Sequence, residues 1–178
     1  STYVLISLGK ERRALTAAYR YLVLGTLGAT FYIIGVGMMY QMTGTLNMAD
    51  LAVRLPAVAE TKTILVAVGF LTVGIGLKLG LFPLHLWLPN AYTYAPSVVT
   101  AFLAATATKV AVYVLIRIYY TFFGAGIFDG LPVSNLLLAL GIIAALSMSA
   151  VAIFQDNAKR LLAYSSVAQL GYIVIGIS

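Results

Sequence analysis

The sequence predicts an all-α protein that crosses a membrane several times. Of its 178 residues, 62% are hydrophobic and only 9% are charged, and the mean hydropathy is +1.00. A soluble domain of this size normally carries about 25% charged residues. The apolar residues also run in long blocks, and blocks of about 18 or more apolar residues are typical of membrane-spanning helices. Composition and pattern therefore both predict a polytopic membrane protein.

The chain reads as a single transmembrane domain with one partial span and five longer ones. Residues 1–9 would form a helix of roughly 13 Å, whereas the hydrocarbon core of a bilayer is about 30 Å thick. Because the sequence begins without a Met, a signal-peptide layout or a cleavage site, we expect a fragment that starts within a helix. The other spans are predicted at residues 15–40, 64–88, 97–123, 132–154 and 158–178.

Polar or proline-containing segments separate these spans. Within the longest connection, at 41–63, the stretch 47–54 is predicted as a short helix at the membrane interface. The segment 89–96, PNAYTYAP, is predicted as a turn, because two prolines interrupt helical hydrogen bonding and its tyrosines suit the headgroup region. A short loop is expected at 124–131, and Asp156 is the expected N-cap of the last span.

The charged residues predict an orientation in the membrane. The net charge of +6 comes from 11 Lys and Arg against 5 Asp and Glu, without a basic patch interleaved with exposed aromatics, so we expect no nucleic-acid partner. Alternating spans would put six cationic residues on one side and two on the other, and cytoplasmic loops are enriched in Lys and Arg. The predicted cytoplasmic group is Lys10, Arg12, Arg13, Arg20, Lys159 and Arg160, and the opposite group is Arg54 and Lys62.

The absence of cysteine and the presence of a single histidine, His85, exclude several kinds of site on this chain. Disulfides, iron–sulfur clusters and Cys/His zinc sites all need cysteines or several histidines. One histidine also cannot supply bis-His haem ligation. We therefore expect neither a metal nor a cofactor here, and no electron transfer through this part of a protein.

Two lysines, Lys78 and Lys109, fall near the middle of predicted spans. A lysine at that depth costs about 2.5–3.5 kcal/mol on insertion scales, so neither is expected to face lipid without compensation. No acidic residue lies in the core of any predicted span. Either the lysines face a hydrated interior and carry ions, or they pair structurally with a carboxylate or carbonyl from elsewhere.

A predicted helix break follows Lys78. Pro83 lacks an N–H, and its ring crowds the carbonyl of Leu79 one turn earlier, so the helix should be interrupted between Leu79 and His85. Irregular backbone at membrane depth survives where it lines a water-filled cavity or is buried in protein. Pro83 alone could be a harmless kink and His85 alone a hydrogen-bonded interface histidine. Together with Lys78 they predict a proton path.

The next span carries a polar stripe. Lys109, Tyr113 and Arg117 follow one another at intervals of four residues and should share one helix face. Thr106 and Thr108 flank the lysine with hydroxyls that can hold ordered water. Arg117 could belong to the path or could extend towards the headgroups.

Three stretches carry a resemblance to a known family. They are KLGLFPLHLWLPNAYTYAPSVVTAFLAATATKVAVYVLIR at 78–117, DNAKRLLAYSSVAQLGY at 156–172 and GTLNMADLA at 44–52. The first two resemble the antiporter-like proton-channel subunits shared by respiratory complex I and the multi-subunit Mrp cation/proton antiporters. The third is more similar to the Mrp D-type subunit than to its complex I relatives.

The resemblance implies a fold of about 14 helices, built from two inverted five-helix units with a broken helix in each. This fragment would supply the end of the fifth helix through most of the tenth. Lys78 matches the family's lysine before the first break, His85 the histidine just beyond it, and Lys109 the central lysine of the next helix. The family also has a glutamate on the fifth helix, at a position that would fall just before Ser1.

The resemblance further implies a function. We expect a D-type subunit of an Mrp-like Na+/H+ antiporter in a bacterial-type plasma membrane, with other membrane subunits as partners and protons and Na+ or K+ as cargo. Such a subunit is an ion transporter, not an enzyme. The alternative is the homologous proton-pumping subunit of NADH:quinone oxidoreductase or of a membrane-bound hydrogenase. A purely structural membrane scaffold is a third possibility.

Overall fold

A computed structural model describes residues 2–9, 11–124 and 132–178, and helices account for most of this part of the chain. Its α-helices are α1 (Thr2–Ser7), α2 (Arg12–Thr43), α3 (Met48–Arg54), α4 (Lys62–Leu79), α5 (Leu88–Tyr94), α6 (Ser97–Arg117), α7 (Pro132–Ile153) and α8 (Ala158–Ile177). Short 3₁₀ helices lie at Leu55–Ala57 and Leu84–Trp87, and a π-helical segment, Ile118–Phe123, extends α6. Lys10 and most of the loop expected at 124–131 lie outside the described residues.

Five helical stretches of the described residues are long and apolar enough to cross a membrane. They are Arg12–Thr43, Lys62–Tyr94, Ser97–Phe123, Val133–Ile153 and Ala158–Ile177. The predicted all-α membrane fold is therefore confirmed. The main differences from the predicted bounds are that the first full span extends beyond 15–40 at both ends, and that the second, placed at 64–88, continues to Tyr94.

The segment 89–96 is largely helical, although the sequence predicted a turn there. It forms α5, with Pro89 in the first turn and the chain extended at Ala95 before α6 begins. A proline is compatible with the first turn of a helix because its missing N–H would have no intrahelical partner there. The prediction was wrong because it took Pro89 as a helix breaker without considering a helix that starts beside it.

Helices α2 and α4 pack along each other through glycine contacts. A Cβ atom added to Gly74 would lie 2.7 Å from the carbonyl oxygen of Gly28, and one added to Gly28 would lie 3.0 Å from the carbonyl oxygen of Gly74. Small residues at a helix interface let the backbones approach closely, which is how membrane helices gain contact energy without a hydrophobic driving force between them. This close contact fixes α4, and with it Lys78, against α2.

Several cationic residues meet at one end of the helices. The Lys159 ammonium donates a hydrogen bond to the carbonyl of Ala95 at 3.0 Å, and the Arg13 guanidinium reaches the Tyr94 hydroxyl at 3.5 Å. The start of α2, the α5–α6 junction and the start of α8 therefore share one end, as alternating spans require. Asn157, not the expected Asp156, caps α8, because its side-chain oxygen accepts from the N–H groups of Lys159 and Arg160.

The predicted short helix in the long connection is α3. The Asn47 side chain caps it by accepting from the N–H of Ala49. Arg54 donates to the Asp50 carboxylate at 2.9 Å and to the carbonyl of Thr43 at 3.2 Å, which joins α3 to the end of α2. The hydrogen bond from Arg54 lowers the pKa of Asp50 below its ordinary value.

Candidate functional site

The interruption after Lys78 begins at Gly80. Helix α4 ends at Leu79, and Gly80 takes the left-handed conformation with φ +78°. The N–H groups of Gly80 and Leu81 both donate to the carbonyl of Gly76, each at 2.9 Å. A left-handed glycine with such hydrogen bonds is a common way for a helix to end. The chain becomes helical again only at Leu84.

Pro83 therefore lies inside the non-helical segment, at the N-cap of the following 3₁₀ helix. The sequence pattern attributed the interruption to Pro83, but Gly80 already ends α4 three residues earlier. The indole N–H of Trp87, beyond the break, donates to the carbonyl of Leu77 at 2.8 Å. This bond supplies a partner to a carbonyl in the last turn of α4, where intrahelical donors run out.

Lys78 lies in this last turn of α4, beside α2. Its ammonium nitrogen is 5.8 Å from the centre of the Tyr21 ring, and a Cβ atom at Gly25 would lie only 3.6 Å from it. A cation is favoured near the C-terminus of a helix, where carbonyl dipoles accumulate, and over the face of an aromatic ring. The Tyr21 ring in turn packs edge-on against Trp87, with the ring centres 4.9 Å apart.

A cavity of about 390 Å³ adjoins Lys78 between α2, α4 and α6. Lys78 is the charged residue in its lining, and most of the other lining residues are small or aliphatic. They are Gly28, Ala29, Tyr32, Ile33, Gly74, Ile75, Ala107, Val110, Ala111 and Val114. The lysine thus faces open space at the level of the helix break.

The two lysines are not enclosed by the described helices, whereas His85 is. Lys78 and Lys109 both have exposed side chains, while His85 is only 5% exposed. The expectation of buried lysines is therefore wrong for this chain taken alone. Lys78 lies against α2 but lines the open cavity between α2, α4 and α6, and Lys109 lies on an exposed part of α6.

His85 lies in the 3₁₀ helix just beyond the break. Its ring stacks on Phe82, with centres 5.5 Å apart and an angle of 21° between the planes. The Nδ1 atom is buried and has no hydrogen-bond partner among the described residues. Buried polar atoms normally find a protein group or an ordered water, so this nitrogen is available to bind water.

The polar stripe on α6 has the geometry that its spacing predicts, but it does not join the Lys78 cavity. Lys109, Tyr113 and Arg117 are all exposed, and the Arg117 guanidinium donates to the Tyr113 hydroxyl at 2.9 Å. The Lys109 ammonium donates to the carbonyl of Ala104 at 2.6 Å. Lys109 does not line the cavity that Lys78 lines.

The two threonines beside Lys109 differ in their surroundings. Thr106 is exposed and donates to the carbonyl of Phe102 in its own helix at 2.8 Å. Thr108 is only 2% exposed and points into the packed interior. Of the two hydroxyls expected to hold water, Thr108 is the one enclosed by protein.

Tyr21 and Trp87 belong to the surroundings of Lys78, although the sequence motifs did not identify either. Tyr21 lies four residues before Gly25 on α2, so the two share a face, and an aromatic next to a small residue could have indicated a pocket there. Trp87 is the single tryptophan of the chain. Neither has a sequence spacing to Lys78 that predicts contact, because the contact crosses between helices.

Among the described residues, Lys78 forms no ion pair with a carboxylate, and no cluster of metal-ligating side chains is found. The ion pair found there joins Arg54 to Asp50, away from Lys78, and no group of three or more His, Asp or Glu side chains could hold a metal ion. The described site therefore consists of a lysine, aromatic rings, a buried histidine and an interrupted backbone.

Comparison with known proteins identifies the family. All 178 residues match the family described as "NADH:quinone oxidoreductase/Mrp antiporter, TM". The chain belongs to this family. It is 50% identical to NADH-quinone oxidoreductase subunit N of Desulforudis audaxviator, covering 100% of this chain and 35% of that protein. It is 34% identical to the D-type subunit of the Na(+)/H(+) antiporter of Alkalihalophilus pseudofirmus, and the match covers 99% of this chain and 35% of that protein.

The fold is also similar to that of a solved respiratory membrane complex. The chain is similar to one in the solved structure of the membrane-bound sulfane sulfur reductase, an archaeal respiratory membrane complex, with a TM-score of 0.91 and 33% identity. That match covers 99% of this chain and 36% of the other. The predicted resemblance to the family shared by complex I and the Mrp antiporters is confirmed, and the chain is a membrane-embedded, antiporter-like subunit segment. It spans about a third of the length of its relatives.

Proposed function

We propose that the chain is the central part of a subunit that moves protons and monovalent cations in a multi-subunit Na+/H+ antiporter of a bacterial plasma membrane. Lys78 loads and releases protons, and His85 and Lys109 relay them. Other membrane subunits complete the assembly. The observation that carries this proposal is the position of Lys78: its ammonium lies at a helix break, between Tyr21 and Gly25, facing a cavity between three helices.

The helix break makes this lysine suitable for proton exchange. A low-dielectric site favours the neutral amine, whereas nearby water, carboxylates or helix carbonyls favour the ammonium. Lys78 lies between an apolar cavity lining and the carbonyl end of α4. When water or a partner group enters or leaves such a site, the balance shifts and a proton is taken up or released.

Helix α1 contacts the aromatic residue that faces Lys78. The Thr2 hydroxyl lies 2.8 Å from the hydroxyl of Tyr21, whose ring is beside the Lys78 ammonium. The family resemblance predicts a glutamate on the helix that α1 matches, as the partner of Lys78.

The second candidate function is proton pumping in NADH:quinone oxidoreductase or a membrane-bound hydrogenase. The observation that favours it is the 50% identity to an oxidoreductase subunit, which exceeds the 34% identity to an antiporter subunit. The GTLNMADLA stretch at 44–52 favours the antiporter. Neighbouring genes for iron–sulfur subunits would support the second function, and genes for further Mrp-like membrane subunits would support the first.

The proposal is tested by proton flux in vesicles that contain the full-length complex. Lys78→Ala should abolish cation-dependent proton flux while the complex still assembles, as judged on a native gel. Lys62→Ala is the matched control, because Lys62 starts the same helix, is exposed and lies far from the break. Normal flux in Lys78→Ala would leave Lys78 with a structural role and contradict the proposal.

A further inference from the structure

A small pocket with a cationic lining lies at the end of the helices that is predicted to be cytoplasmic. It has a volume of about 200 Å³ and lies between the first turns of α2 and the short helix α5. Its described lining residues are Arg13, Thr16, Ala17, Arg20, Asn90 and Tyr94. None of these residues is acidic, so they present two guanidinium groups together with neutral side chains that can donate hydrogen bonds. Such a lining suits an anion.

Arg13 and Arg20 both reach the pocket because they are seven residues apart on α2. Seven residues make nearly two helical turns, so the two side chains share one helix face. Ala17 lies one turn from each of them, and its small, buried side chain leaves space between the two guanidinium groups. Asn90 and Tyr94 face them from α5, where a spacing of four residues also puts both on one face. Two packed helices therefore build the pocket.

The two arginines have no carboxylate partner among the described residues. Arg13 donates to the hydroxyl of Tyr94 at 3.5 Å, which is a long hydrogen bond, and the ion pair of the described chain lies near the other end of α2. The first turn of α2 contains no acidic residue, and its N-cap residue Glu11 makes no side-chain hydrogen bond to it. Cations are unfavourable at this positive end of a helix. The arginines therefore do not serve to stabilise α2, and a bound anion would compensate their charge.

The position of the pocket favours a lipid over a free anion. The 32 residues of α2 extend over roughly 48 Å, whereas the hydrocarbon core of a bilayer is about 30 Å thick. The helix therefore reaches beyond the core, and its first turns lie at the level of the headgroups. Beyond Arg20 the same helix face continues with Leu27 and Ile34, at further intervals of seven residues, and both are exposed. A molecule with a phosphate at the arginines and an acyl chain along this apolar face matches both features.

We propose that this pocket binds the phosphate of an anionic phospholipid from the cytoplasmic leaflet. Arg13 and Arg20 bind the phosphate oxygens, because guanidinium groups present paired N–H donors to such groups. Asn90 and Tyr94 add hydrogen bonds from α5. Basic pockets between membrane helices on the cytoplasmic side are suited to anionic headgroups. The lipid thereby joins α2 to α5, the helix that follows the break, and this role goes beyond the transport function proposed above.

The test measures the binding of a defined lipid to the delipidated full-length complex in detergent. Phosphatidylglycerol is titrated and the bound lipid is counted by native mass spectrometry, with zwitterionic phosphatidylcholine as the reference. Arg20→Gln should lower the affinity for phosphatidylglycerol by about tenfold, because it removes hydrogen bonds to a charged group. Arg12→Gln is the matched control, since it removes the same charge from an exposed residue at the same helix end but outside the pocket lining. Its affinity should stay close to that of the unsubstituted complex.

Two further arms test the charge of the ligand and its source. Asn90→Asp places a negative charge in the pocket and should weaken phosphatidylglycerol binding at least as much as Arg20→Gln, through repulsion between like charges. Phosphatidylcholine binding should not change in the same way. Glycerol 1-phosphate, which has the phosphate but no acyl chains, should not displace the lipid at equal concentration. Displacement by it would assign the pocket to a soluble phosphate compound and overturn the lipid proposal.

Three other results would also overturn the proposal. Equal losses of binding in Arg20→Gln and Arg12→Gln would mean that the arginines act only through the general surface charge. Equal affinities of the unsubstituted complex for the two lipids would mean that no anion is selected. No saturable phosphatidylglycerol binding at all would mean that protein covers the pocket in the full complex. Because lipid binding is measured without transport, a failure of the Lys78 proposal would leave these results unaffected.

Discussion

The ammonium nitrogen of Lys78 lies 5.8 Å from the centre of the Tyr21 ring, so the lysine on the broken helix is positioned by an aromatic residue of another span. Tyr21 is itself held on both sides, since its hydroxyl contacts the Thr2 hydroxyl at 2.8 Å and its ring packs edge-on against Trp87. This arrangement orients the charge towards α2 and the cavity beside it.

Tyr21 should therefore affect proton flux through its aromatic ring, which contacts the Lys78 ammonium. Tyr21→Leu removes the cation–π contact, which is worth about 0.5–2 kcal/mol, and we expect proton flux to fall several-fold with the complex assembled. Tyr21→Phe keeps the ring and should retain most of the flux. Vesicle flux measurements on both variants check this, and equal losses in the two variants would point to the hydroxyl instead.

The end of α4 should depend more on Gly80 than on Pro83. Gly80→Ala forces a Cβ into the left-handed conformation, at about 1–2 kcal/mol, and places it 2.8 Å from Cδ1 of Leu88. Pro83→Ala leaves the glycine cap intact. Thermal unfolding of the detergent-solubilised full-length protein should show a larger drop in Tm for Gly80→Ala. A larger drop for Pro83→Ala would restore the proline as the cause of the break.

The indole of Trp87 should stabilise the broken helix through its N–H. Trp87→Phe retains an aromatic ring against Tyr21 but leaves the Leu77 carbonyl without the donor that it has at 2.8 Å. We expect a loss of about 0.5–1.5 kcal/mol in the free energy of unfolding. Denaturant unfolding measures it, and Trp87→Phe with unchanged stability would mean that water replaces the indole.

The charge distribution predicts the orientation of the chain. In a cysteine-free background, Arg12→Cys and Asp156→Cys should be unreactive towards an impermeant thiol reagent added outside intact cells, because both sites belong to the end predicted as cytoplasmic. Lys62→Cys, at the opposite end of α4, should react. All three residues are exposed. The reverse labelling pattern would invert the topology.

Much of the fold could be predicted from the sequence, because each long hydrophobic block corresponds to one membrane-spanning stretch. The positions of Lys78 and Lys109 along their spans likewise follow from counting residues. The cause of the break was missed, since ending a helix at Gly80 depends on a left-handed backbone angle that composition does not reveal. Proline, by contrast, carries an intrinsic signal, which was given too much weight at both Pro83 and Pro89.

The contacts between side chains within the site could not be predicted from the sequence. Lys78, Tyr21 and Trp87 meet across three separate segments, and no periodicity within one helix relates them. The expected burial of the lysines also required knowledge of which helix faces the described chain covers. The α6 stripe was predictable because Tyr113 and Arg117 interact within a single helix.

The central claim is that the Lys78 side chain itself releases a proton, and Lys78→Arg tests it most directly. Arginine keeps a positive charge at the helix break and over Tyr21, but guanidinium does not release its proton at physiological pH. We predict that the full-length complex with Lys78→Arg assembles normally and shows no cation-dependent proton flux in vesicles. Near-normal flux in this variant would show that only a positive charge is required and would contradict the account.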